Sequence, residues 1–329
     1  MKFGIEFSPE KPTYDVAFHS KFAEDSRFHH VWITDHYNNR NVYVTMAEIS
    51  RVTNEIMIGS AVTNPYVCHP VWTAEAIFTV DEISGGRAIF GIGAGDKMTL
   101  EALGIKWEKP LTAVKESVTI FKELNLKGKT KFQGELFKVK KAKVKKAPKH
   151  EIPIYIGAQG PKMLQMAAQL ADGVLINSSH PKDFEPAVEN VKLGVQKVKR
   201  KIDEIDVAAY TSFSIHKKRE RAIKKARIVA GAIAAGSPDF ILKRHGIEKE
   251  VQEEIKELFA NQRFKEMKEG GVPDYVVDAF SIAGNPEDCV EKISELSKVG
   301  VSQIVMGMPL GKSKVDAMKL IKKEIIPHF

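Results

Sequence analysis

The sequence predicts a (β/α)8 TIM barrel, an α/β fold in which parallel strands alternate with covering helices. Three observations carry this. Eight short β-type runs recur along the 329 residues, most of them apolar on both faces, as parallel strands covered by helices require. Amphipathic stretches of helical period separate most of these runs. The glycine-rich segments follow later strands and not the first, which disfavours the alternative, a doubly wound sheet with a dinucleotide fingerprint after its first strand.

The runs are 2–7 (KFGIEF), 29–34, 56–61, 86–92, 152–157, 173–177, 206–215 and 301–307. Helices are expected over 14–26, 42–53, 73–84, 110–125, 161–171, 182–201 and 217–235. Gly85 and Gly86 stop the third of these. Asn285 followed by Pro286, Glu287 and Asp288 reads as an N-cap with acids in the first turn, opening a helix to about 298. Two segments exceed a minimal barrel: an inserted hairpin or excursion over 126–150 and a partly helical insertion over 237–280. No repeat or low-complexity linker divides the chain, so 1–329 is read as one domain.

Two cysteines are too few for a disulfide framework or zinc cluster and fit a reducing cytoplasm. The N-terminal run carries Glu6 and is no signal peptide. No apolar stretch approaches the roughly 18 residues that span a bilayer. Of the net charge of +8, much sits in 127–149 (KGKTKFQGELFKVKKAKVKKAPK). Such a run is ordinarily a solvated face, otherwise a nucleic-acid surface, or an attractor of anionic small molecules. No nucleic-acid-binding motif accompanies it.

Barrel enzymes carry their chemistry at the C-terminal ends of the strands. The first run ends in Glu6, a carboxylate among apolar neighbours and a candidate proton donor. After the second come Thr34, Asp35, His36 and Tyr37; His36 can donate to a ligand carbonyl, and Asp35 can orient it or accept from a ring N–H. The third ends in GSAVTNPY, 59–66, where small residues allow close approach to backbone and Thr63 and Asn64 supply hydrogen bonds. The fourth opens onto GIGAGDK, 91–97, with Asp96 as a second carboxylate. The fifth gives Gly157, Ala158, Gln159 and Gly160 ahead of Pro161, a turn whose free N–H groups and helix start suit a phosphate. The sixth ends in Asn177 and Ser178, which can donate to the same anion. No metal-ligand spacing and no nucleophile elbow occurs.

DEISGGRAIFGIGAGD (81–96), IPIYIGAQGPKMLQMAAQLADGVLIN (152–177) and AGNPEDCVEKISELSKVGVSQIVM (283–306) resemble the bacterial-luciferase-like superfamily of flavin and deazaflavin enzymes. Over nearly the whole chain, WITDHYNNRNVYVT, VTNPYVCHP, INSSHPKDFEPAV and VAGAIAAGSPDFILKRHG are similar to its deazaflavin-dependent members from methanogenic archaea. The resemblance implies coenzyme F420, an 8-hydroxy-5-deazaflavin, as a dissociable cosubstrate. It implies reversible hydride transfer between reduced F420 and 5,10-methylenetetrahydromethanopterin, in methanogenesis from CO2. It further implies a cytoplasmic homo-oligomer, dimer or tetramer, with no nucleic-acid or membrane partner.

Carried over by position, the ring would rest on Ala61, Val62 and Thr63, held at its edges by Asp35, His36, Thr63 and Asn64. The phosphate would lie on Gly157, Ala158, Gln159 and Gly160 with Asn177 and Ser178. Lys162 or Arg227 would face the anionic glutamate tail. Glu6 would protonate the departing nitrogen, with Asp96 in reserve. A cis peptide falls between Ala61 and Val62, where the family usually has Gly first. Ala61 departs from that pattern, as does Cys68 in the following loop. Rival readings are another F420-dependent relative acting on a secondary alcohol, a flavin monooxygenase, or a basic nucleic-acid-binding protein on a degenerate barrel.

Overall fold

The computed structural model describes residues 1–329. Its strands are β1 (Lys2–Phe7), β2 (His30–Ile33), β3 (Met57–Ser60), β4 (Ala88–Ile92), β5 (Lys129–Gln133), β6 (Lys138–Lys143), β7 (Ile154–Gly157), β8 (Gly173–Asn177), β9 (Asp206–Ile215), β10 (Ser281–Gly284) and β11 (Gln303–Leu310). Nine form one sheet in the order β10-β9-β11-β1-β2-β3-β4-β7-β8, and an additional β8–β9 pairing closes eight of them into the (β/α)8 barrel. β5 and β6 pair separately as an antiparallel hairpin. The sequence reading has no strand at 281–284 and no helices at Lys97–Ala102 or Lys314–Glu324. Ser-Ile-Ala-Gly is too short a run to show alternation, and a six-residue helix is too short to show a period.

Contacts divide the chain into two compact units. The first spans Glu6–Ile176 and Glu189–Val207. Its strand ends are set by close packing that only glycine permits. Gly59 lies opposite Trp32 in the β2–β3 register, and a Cβ there would stand 2.4 Å from the indole. Ser60 stitches β3 to β4 through its side chain: its hydroxyl donates to the Gly91 carbonyl at 2.8 Å and accepts the Gly91 N–H at 3.1 Å. The small residues at 59 and 60 therefore serve the core. In sequence the same small residues point to close approach of a ligand.

The Gly-Gly-Arg turn before β4 also has a structural reason. Arg87 is 8% exposed. Its guanidinium donates to the carbonyls of Ser84, Ile56, Ser50 and Thr53 and to the Thr53 hydroxyl. It thus fastens the C-terminal ends of the helices Val42–Val52 and Pro70–Ser84, using the rigid fork that Arg alone offers. Nearby, one oxygen of Glu24 accepts the N–H groups of Asn54, Glu55 and Ile56. Burial pulls this carboxyl upward, but those three bonds and Lys21 outweigh it and hold it at about 2.

The second unit spans Met1–Ile5, Asn177–Val188 and Ala208–Phe329. Its insertion has its own apolar core, in which Leu242, Ile255, Leu258, Met267 and Val272 pack on Ala226, Ala230 and Ala234 of the helix Arg219–Gly236. Gly231 makes room: a Cβ there would meet Val272 at 2.9 Å. The Gln252 amide donates to the carbonyls of Ala234, Ala235 and Ser237, satisfying the end of that helix where its own ladder stops.

Candidate active site

The end of β3 is a bulge. Ala61 N–H donates to the Ile33 carbonyl and Thr63 N–H to the Gly91 carbonyl, while Gly93 N–H donates back to the Thr63 carbonyl. Val62, between these ladder bonds, is displaced, and the Ala61–Val62 peptide is cis. Its methyl groups lie over two glycine loops. A Cβ on Gly93 would meet Val62 Cγ2 at 2.6 Å, and one on Gly157 would meet it at 3.2 Å. The backbones just after β4 and at the end of β7 thus lie against Val62, and half-buried Ala61 and Val62 form a supported ledge.

Polar groups surround this ledge. Ser8 donates to Glu6 Oε1 at 3.3 Å, and Thr34 donates to Ser8 at 3.1 Å, so a hydroxyl chain runs from the end of β1 to the end of β2. Beside it, Tyr43 donates to the Thr63 hydroxyl at 3.2 Å. Burial pushes the Tyr43 phenol up to about 12, so it stays a donor at neutral pH. Burial also raises the Asp35 carboxyl above its ordinary value, against the opposing pull of Thr63 and His36. His36 itself is exposed. Tyr43 and Ser8 are absent from the expected site. Their signal is three-dimensional, since each acts through a hydroxyl on a neighbouring strand end.

The raised Asp35 carboxyl has a measurable sign. Its neutral form is favoured by the fold, so its stabilising contribution is complete below its unfolded value of about 4 and is lost as pH rises through the folded value. Asp35→Asn is therefore expected to raise the melting temperature at pH 8 and leave it unchanged near pH 4. Wild type and variant melting together at pH 8 would show that burial does not penalise this carboxylate.

Several expected ligands turn out to be engaged. Asn64 Oδ1 accepts the N–H groups of Tyr66 and Val67, so only its amide nitrogen remains for a ligand. Asp96 is an exposed N-cap whose carboxylate accepts Thr99 N–H at 2.7 Å. The Thr99 side chain and this N–H together hold it below its ordinary value. A carboxyl kept ionised is a poor proton donor, so the reserve-acid assignment is replaced by that of a fixed negative charge. Ala158 is buried and its N–H donates to the Leu175 carbonyl, which withdraws it from anion binding. Gln159 and Gly160 are exposed, and the helix Pro161–Leu170 starts at Gly160 without a side-chain cap. Its first turn therefore offers N–H groups to an outside acceptor, as a phosphate needs. The ledge and this start fit a flat ring carrying a phosphate.

In the second unit, Asn177 is exposed at the end of β8. The Ser178 hydroxyl, expected to donate to a phosphate, donates instead to Asp183 Oδ2 at 2.7 Å. Asp183 also pairs with Arg244 at 2.7 Å and with His245 at 3.0 Å. Burial pulls Asp183 upward, but the bonds from His245, Ser178 and Arg244 outweigh it and lower its pKa. This cluster joins the helix Pro181–Lys197 to the insertion and was invisible in sequence, its members lying some 60 residues apart. The Arg227 guanidinium donates to the Lys268 carbonyl and to Asp274. It is a brace for the insertion, not the tail ligand the sequence suggested.

These features mark a barrel with polar groups gathered at a bulged third strand, and the comparisons give its family. The chain belongs to the luciferase-like family: the model described as luciferase-like monooxygenase matches residues 8–303. Among individual relatives, it is 51% identical to 5,10-methylenetetrahydromethanopterin reductase of Archaeoglobus fulgidus, over 100% of both chains. It is 48% identical to the protein of that name from Methanolobus tindarius, over 99% of this chain and 100% of the relative. The solved coenzyme F420 dependent tetrahydromethanopterin reductase from Methanopyrus kandleri superposes with a TM-score of 0.96 and 42% identity, covering 100% of this chain and 99% of that one. An F420-dependent secondary alcohol dehydrogenase, solved with an F420-acetone adduct, shares the fold at a TM-score of 0.81 and 18% identity, over 98% of each chain.

Proposed function

We infer that this protein is a coenzyme F420-dependent oxidoreductase that reduces 5,10-methylenetetrahydromethanopterin to 5-methyltetrahydromethanopterin, reversibly. One observation carries this: identity of 42–51% to reductases of that name over essentially the full chain. The alcohol dehydrogenase matches at the level of fold alone.

Coenzyme F420, when bound, supplies the hydride. Ala61 and Val62 back its ring, with Asp35, His36, Thr63 and the Asn64 amide at the polar edges. The start of the helix Pro161–Leu170, with Gly157, Gln159 and Gly160, receives the phosphate. Glu6 protonates the substrate nitrogen whose departure opens the ring and exposes the carbon that accepts hydride. Its hydroxyl relay through Ser8 and Thr34 fixes the carboxyl's orientation. Asp96, held ionised, favours the positive charge that then develops on the substrate. Most of the rate enhancement comes from holding donor and acceptor carbons in contact.

The protein acts as a cytoplasmic homo-oligomer. Tyr14, Phe18, Val44 and Trp72, each at least 60% exposed, stand on three helices of the first unit that pack side by side, an apolar surface that self-association would cover. No helix is long and apolar enough to cross a membrane. A spectrophotometric assay tests the reading directly. Reduced F420 is expected to be oxidised on adding 5,10-methylenetetrahydromethanopterin and not on adding acetone. Turnover with acetone alone would move the protein to the alcohol dehydrogenases.

A further inference from the structure

The basic tract that the sequence left without a role is folded as a two-sided hairpin. Register places Lys129 opposite Lys143 and Gln133 opposite Lys138, with a bulge setting Lys131 against Lys140 and Lys141. All these lysines are exposed, whereas Thr130 and Val139 on the other face are buried. None of the six has an ion-pair partner. Like charges directly opposite on paired strands repel, so this arrangement destabilises the hairpin unless something anionic covers it.

The hairpin is fixed in place at considerable expense in polar contacts. The Glu116 carboxylate, 7% exposed, accepts the N–H groups of Glu135, Leu136 and Phe137 at the tip. A Cβ on Gly134 would strike that carboxylate at 2.4 Å. The same tip abuts the loop that leaves the ledge. Phe137 packs edge-on against His69 with ring centroids 5.8 Å apart, and Glu135 pairs with Lys109. Tyr66, in that loop, donates to the Glu108 carbonyl at 2.7 Å. The lysine rows therefore begin beside the loop 63–69 and lead away from it. Ammonium groups on them recur about every 7 Å along a strand and about 5 Å across.

We propose that the exposed face of β5–β6 is a binding track for an oligoanionic extension of a small-molecule ligand whose ring lies on the Ala61–Thr63 ledge. With coenzyme F420 as that ligand, which rests on the function inferred above, the extension is its carboxylate-bearing tail. Nucleic acid fits the face less well. Phe132 is turned toward Val139 in the register and Phe137 toward His69, which leaves no aromatic platform on which bases could stack.

The test compares reduced F420 carrying its glutamate tail with the tail-less deazaflavin in steady-state assays of wild type and of a Lys129→Ser, Lys131→Ser, Lys140→Ser, Lys143→Ser variant. With tailed F420 the variant's KM is expected to rise at least about fivefold, with kcat within about twofold. KM for the tail-less form should be the same in both proteins. In wild type, added salt should raise KM for the tailed form only, because screening acts on exposed charge pairs, a readout independent of how well the variant folds. Poly-L-glutamate should inhibit wild type competitively and the variant weakly. Equal behaviour of tailed and tail-less forms would overturn the assignment while leaving the F420 reading intact. So would tight binding of polyuridylate at physiological salt that tailed F420 does not displace. Absence of turnover with either form would instead remove the F420 reading.

Discussion

Replacing Glu6 by Gln is expected to lower turnover by about 10²–10⁴-fold, the range of a general acid, with little change in F420 affinity. The carboxyl ends a strand flanked by buried Ile5 and Phe7 and is held by the Ser8–Thr34 hydroxyl relay. Gln preserves shape and can still accept from Ser8, but it has no proton to give. The loss should fall on kcat, since opening the substrate ring is the step that needs the proton. A Glu6→Gln enzyme within threefold of wild-type turnover would transfer the role to another group, and half-buried Asp35, with its raised pKa, would be the next to examine.

Gly91→Ala should be the most damaging small substitution in the barrel. A Cβ at this position would lie 1.8 Å from the Ser60 carbonyl oxygen. That neighbour is backbone in the middle of a ladder and has no rotamer to escape into. β3 and β4 would have to separate, breaking the paired bonds between Ser60 and Gly91 and shifting the ledge that follows. A loss of about 3 kcal/mol or more is expected, at the upper end of overpacking effects, read as a drop in the denaturant midpoint. Gly160→Ala serves as the contrast: nothing lies within 4 Å of its Cβ, so its stability change should stay within about 0.5 kcal/mol. Equal midpoints for the two variants would contradict the packing described between β3 and β4.

The strand-end positions of the candidate site could be read in the chain because strand ends punctuate it. Glu6, the Asp35–His36 pair and Thr63 all follow short apolar runs, and in a parallel barrel those runs end on one face. What could not be read was which polar atoms are already engaged. Asn64, Ala158, Ser178 and Arg227 are chemically suited to the roles expected of them, yet each gives atoms to partners fixed by folding. Gly59 and Ser60 misled in the opposite sense, because a residue kept small by Trp32 or by the Gly91 backbone looks in sequence like one kept small for a ligand.

The sequence by itself determined the barrel, the order of its strands and the positions of the carboxylates and glycines at their ends, since hydrophobic period and turn residues are local properties of the chain. Only the tertiary structure decided the rest. It set Val62 on glycines 31 and 95 residues away, joined Tyr43 to Thr63, and turned a run of lysines into one exposed face anchored by Glu116. Hydrogen bonding and burial depend on neighbours that are distant in the chain, and no local pattern records them.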